Sequence, residues 1–119
     1  MVEPALVLPP TRDDRWQLAR QMDVSKAVIH PLEIGDGRTE WSLEDLQALV
    51  ASLAAADLEF AVLEGSVPIT EEIRLGLPGR DADIAAFKRF IRDCGEAGIP
   101  VICYDWMAGI RWARTAVHV

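Results

Sequence analysis

Six residues carry side chains suited to recognising a small polar molecule: His30, Glu64, Ser66, Arg80, Asp105 and Trp106. The imidazole of His30 can donate a hydrogen bond, act as a base or ligate a metal. The carboxylate of Glu64, just before Gly65-Ser66, can meet substrate hydroxyls or a cation, and Asp105 offers the same chemistry. Either carboxylate alone falls short of an acid–base pair. The planar fork of Arg80, in Gly76-Leu77-Pro78-Gly79-Arg80-Asp81, matches a substrate carboxylate or a neighbouring aspartate equally well. Arg111 and Arg114, with Trp106 and Trp112, form a second cluster suited to an anionic, hydroxylated molecule, although aromatic side chains also fill cores. A metal site needs three or four converging ligands, and His30, Glu64 and Asp105 are a thin set for one. Cys94 and Cys103 read as core packing rather than as nucleophiles.

In parallel α/β folds ligands bind just past the C-terminal ends of strands, so these residues gain meaning from the elements that precede them. Four short apolar runs predict strands: Ala5 to Leu8, Lys26 to Ile29, Leu58 to Leu63 and Val101 to Tyr104. The first, stopped by Pro9-Pro10, suits a strand buried on both faces. Helical spacing fills the intervals. Thr11 is placed to cap a first helix carrying Trp16, Ala19 and Met22. Ser42 begins a second with an apolar stripe of Leu43, Leu46, Leu49, Val50 and Leu53, ending near Asp57. Asp81 or Asp83 is placed to cap a third, with Ile84, Phe87, Phe90, Ile91 and Cys94 on its core face and Gly95 and Gly98 at its end. Gly65 to Asp81 reads as a long connection, a length that is usually functional inside a compact domain.

The resulting βα order predicts an α/β fold with parallel strands and right-handed crossovers. Two architectures satisfy it: a small open sheet, or the N-terminal half, about four βα units, of a (β/α)8 TIM barrel with helices outside. No G-x-G-x-x-G follows the first strand, and no G-x-x-x-x-G-K-[ST] occurs, which argues against a dinucleotide or P-loop site.

Composition narrows the partners. The chain has 119 residues, 50% hydrophobic and 26% charged, which is ordinary for a globular domain and excludes disorder. A complete (β/α)8 barrel needs about 250 residues. The net charge of −7 repels polyanions, so nucleic acid is not an expected partner. No apolar window reaches membrane-spanning length, no basic secretory start is present, and two cysteines make no disulfide framework. The expectation is a cytoplasmic protein with no membrane partner.

Several segments resemble the D-mannonate dehydratase family, a group of (β/α)8 enzymes related to xylose isomerase. The resemblance lies in Glu64-Gly65-Ser66-Val67-Pro68-Ile69, in Ile73-Arg74-Leu75-Gly76-Leu77-Pro78-Gly79-Arg80-Asp81 and in Ile91-Arg92-Asp93-Cys94-Gly95-Glu96-Ala97-Gly98-Ile99. Trp41-Ser42-Leu43-Glu44, Cys103-Tyr104 and Trp112-Ala113-Arg114-Thr115 extend it. It implies a lyase that removes water from D-mannonate to give 2-dehydro-3-deoxy-D-gluconate in hexuronate catabolism, with Mn2+ or Fe2+ as cofactor. It also implies that the metal ligands and principal acid–base residues come from later strands. His30, Glu64, Ser66, Arg80, Asp105 and Trp106 would then be substrate-side residues, with no catalytic residue and no metal ligand among them. The chain differs from the family pattern at Leu8-Pro9-Pro10-Thr11, where many members have an Arg-Trp pair, at Asp105, where asparagine is common, and at Arg111.

Residues 1–119 are thus expected to form an N-terminal half-barrel, inactive as a dehydratase on its own. Two alternatives accompany that reading. One is a non-catalytic half-barrel that associates with itself or with a second half through its uncovered edges. The other is a different sugar isomerase or epimerase of the xylose isomerase-like group.

Overall fold

The computed structural model describes residues 2–30, 41–65 and 69–104. Alternation and capping chemistry account for most of its elements. Strand β1 (Ala5–Leu8) leads into helix α1 (Asp14–Gln21), and β2 (Lys26–Ile29) precedes α2 (Leu43–Ala54). Strand β3 (Glu59–Glu64) is followed by a short α3 (Glu71–Leu75), a long α4 (Arg80–Glu96) and β4 (Val101–Cys103). The expected connection from Gly65 to Asp81 therefore holds a helix. Thr70 caps it by accepting from the Ile73 N–H, and Gly76 closes it in the left-handed conformation that glycine tolerates best.

Two helix starts differ from the sequence expectation. Asp13, not Thr11, caps α1 by accepting from the Arg15 N–H, and Arg15 Nη2 lies 2.7 Å from its carboxylate. That guanidinium holds the Asp13 carboxyl below its usual range. Helix α4 begins after Gly79 with no side-chain cap. Asp83 is used elsewhere, accepting a 2.6 Å hydrogen bond from Thr70 Oγ1 that ties α3 to α4. The start of α2 follows expectation, with Ser42 and Asp45 forming a reciprocal capping box.

All strands are parallel, and the sheet order is β1-β2-β3-β4. A doubly wound sheet reverses its order at a switch point; this one does not. Right-handed crossovers between strands laid down in sequence place every helix on the same side. Helix α2 accordingly packs on both β3 and α4. The architecture is that of a partial (β/α) barrel, which decides between the two arrangements the sequence pattern permits.

The helix-side face is a continuous apolar core. Leu8, Ala27, Ile29, Phe60 and Leu63 from the strands meet Trp16, Leu46, Leu49, Leu53, Phe90 and Cys94 from the helices. A register shift in β3 makes this possible. Phe60 pairs with Ala27 and Val62 with Val28, so Ala61 is an extra residue. The bulge lets Phe60 and Leu63, three positions apart, both face the helices.

The other face differs from the two-sided burial expected of β1. Val7, Val28, Val62 and Val101 stand in one register row across the sheet. Val7 is 56% and Val101 47% exposed. Apolar residues on both sides of a strand suit the inner wall of a barrel, where this second face points toward the opposite strands. Val28 and Val62, between Val7 and Val101, are partly buried. No described helix is long and apolar enough to cross a membrane.

Candidate functional site

Side chains alternate along each strand, so the face carrying the valine row also carries residues two positions before and after it. Before it, toward the N-terminal ends, Lys26 pairs in register with Glu59. Lys26 Nζ lies 2.5 Å from Glu3 Oε2 and 4.0 Å from Glu59 Oε2. The Glu3 hydrogen bond, aided by both negative charges, raises the lysine above its ordinary value.

After the valines, toward the C-terminal ends, come His30, Glu64 and Cys103. Ile29 pairs with Leu63 and Glu64 with Cys103, so His30 follows β2 beside Glu64, which in turn lies beside Cys103. His30 and Glu64 are half-buried and Cys103 is exposed. Gly65, with φ 124°, takes a backbone turn closed to most L-residues immediately after Glu64. Its N–H donates to the Cys103 carbonyl at 3.3 Å, extending the β3–β4 pairing to the rim. The face is thus graded: an ion network at one end, a valine layer in the middle and a polar row at the end where parallel α/β folds bind ligands.

The end of β1 serves structure instead. Pro9 is buried, and its carbonyl accepts from Trp16 Nε1 at 2.9 Å. Arg80 also has local partners. Its Nη1 donates to the Gly76 carbonyl at 3.1 Å, and its Nε lies 3.6 Å from Asp81 Oδ1. It braces the α3–α4 turn, with its side chain about half exposed. Of the six residues singled out from the sequence, the fold brings His30 and Glu64 together and places Arg80 in that turn. Ser66, Asp105 and Trp106 lie outside the described residues, as do Arg111, Trp112 and Arg114.

Cys103 joins the row although the sequence suggests a core position. The signal available was parity: Val101 and Cys103 occupy alternate positions of one short strand and must share a face. Which face that is depends on the register with β3. Cys94 does pack in the core, as expected, and burial, reinforced by Asp93, pushes its thiol up to about 11. Among the described residues no group of three or more His, Cys, Asp or Glu side chains is placed to hold a metal ion. The row can therefore bind hydroxyls and position a ligand, but it offers no cation to stabilise negative charge.

Comparison with known proteins fits this geometry. The family model for D-mannonate dehydratase (UxuA) matches residues 15–119. A mannonate dehydratase from Streptococcus suis is 44% identical over 78 residues, 66% of this chain and 21% of that protein. One from Thermotoga petrophila is 41% identical over the same length, again covering 21% of the relative. The crystal structure of mannonate dehydratase from Streptococcus suis serotype 2 superposes with a TM-score of 0.82 at 31% identity, covering 99% of this chain and 34% of that one. The matched segment thus spans about a fifth of the curated relatives' length. With the barrel-like strand order and the family match agreeing along the chain, this protein belongs to the D-mannonate dehydratase family.

Proposed function

We propose that residues 1–119 form a half-barrel unit supplying one wall of a site where D-mannonate loses water to give 2-dehydro-3-deoxy-D-gluconate. The observation that carries this reading is the polar row of His30 and Glu64 above the valine layer, at the strand ends of a chain in this family. Glu64 accepts hydrogen bonds from substrate hydroxyls, and His30 donates or accepts beside it. Like charges repel, so the substrate carboxylate points away from Glu64. The valine layer keeps water from reaching the bound sugar acid from below.

Dehydration next to a carboxylate builds negative charge that a divalent cation can stabilise. The Mn2+ or Fe2+ implied by the family resemblance does not fit the described residues, which lack a converging ligand set. Their part is binding and orientation. Ser66, which follows β3 in sequence, and Asp105 and Trp106, which follow β4, join the same substrate-side group, and the setting is a cytoplasmic catabolic enzyme.

Titration of the chain with D-mannonate, followed through the His30 ring signals, tests the reading. Binding is expected, and Glu64→Gln, which removes a charge-assisted acceptor, should weaken it by about tenfold or more. Absence of binding overturns the proposal. Metal-dependent formation of the keto-deoxy acid by the chain alone overturns the assignment of a binding role without turnover.

A second reading is favoured by the exposed valines at both borders of the sheet: a half-barrel that pairs with another copy of itself. Two identical apolar rows are self-complementary across a two-fold axis. Sedimentation of a dimer supports it, and a concentration-independent monomer excludes it.

A further inference from the structure

We infer that Cys103 is a ligand-facing residue of the proposed sugar-acid site, its thiol forming the wall beside Glu64 and setting the space available to the bound molecule. The inference rests on the substrate-wall reading above and adds to it a residue that the sequence suggests is core. Three observations converge. Glu64 and Cys103 are register partners on adjacent parallel strands. The two also share a face with Val62 and Val101, because each lies two positions beyond a member of the valine row. And Cys103 is exposed, whereas Cys94, the other cysteine, is fully buried against the helices.

A thiol in this position is small, polarisable and only weakly hydrogen-bonding. Next to the carboxylate of Glu64 it offers a ligand an apolar surface rather than a second strong acceptor. The ligand class that fits is a polyhydroxylated acid, whose hydroxyls meet Glu64 and His30 while a carbon face rests on the sulfur. A larger side chain at position 103 would project into the same space.

The two cysteines make the test internal to one molecule. At about pH 7.5, N-ethylmaleimide should label Cys103 and leave Cys94 untouched, since reactivity follows exposure and thiolate character. Mass spectrometry then follows labelling with and without D-mannonate, while the His30 ring signals report binding independently. With ligand at about nine times its dissociation constant, the free form falls about tenfold and Cys103 labelling should slow by the same factor. Binding without protection overturns the inference and leaves the substrate-wall reading standing. Absence of binding overturns both. Cys103→Phe should lose about tenfold or more, by occlusion. Resistance of Cys94 to labelling shows that the variant is folded. A folded Cys103→Phe that binds like the parent also overturns the inference.

Discussion

Trp16 shows how one side chain can do two structural jobs in a small core. Its ring is 1% exposed at the junction of α1 and the sheet, and its Nε1–H satisfies the buried Pro9 carbonyl. Trp16→Phe keeps most of the apolar area but leaves that carbonyl unpaired, which should cost about 1–3 kcal/mol in urea unfolding. Cys94 makes a different prediction. Its folded thiol titrates near 11, above the 9.0 of the unfolded chain, so the folded state holds the proton longer. Stability is therefore full below about pH 9 and falls as pH rises through 11. Unfolding curves at intervals across that range should show the decline, and Cys94→Ala should flatten it. The sequence identified both residues as core by helical spacing alone. It could not show that Arg80 would turn back onto Gly76, because that depends on how the chain reverses between two helices.

At the scale of elements, the α3–α4 turn is held by both backbone conformation and side-chain hydrogen bonds. Gly76 sits at φ 68°, and a Cβ built there lies 3.3 Å from Arg80 Nη1. Gly76→Ala should cost about 1 kcal/mol in left-handed strain and push the guanidinium off the Gly76 carbonyl. Thermal unfolding measures the first effect, and Arg80 side-chain NMR signals measure the second. The Leu-Gly-Leu-Pro-Gly run announces a turn, but not the Thr70–Asp83 hydrogen bond that joins α3 to α4 across it. Capping preferences are local and were readable at Ser42. At Asp83 a tertiary partner outcompeted the helix terminus for the same carboxylate.

For the molecule as a whole, the decisive feature is a sheet with two unlike faces. Neighbouring residues of β1 should respond differently to truncation. Leu8→Ala opens the helix-side core, where the side chain is 4% exposed, and should cost about 2–5 kcal/mol. Val7→Ala, on the open face at 56% exposure, should cost under about 1 kcal/mol by the same urea measurement. Comparable losses would mean that the second face is covered in solution, as the self-pairing reading requires. The sequence by itself determined the four strand segments, their alternation with the main helices and the family resemblance, because apolar periodicity, proline stops and short segments are local properties of the chain. Tertiary structure decided the rest: that the strands lie in sequential order, that Ala61 is extruded as a bulge, and that His30, Glu64 and Cys103 share a rim. Those outcomes depend on hydrogen-bond register between strands far apart in sequence, and a shift of one residue exchanges the two faces without altering a single local preference.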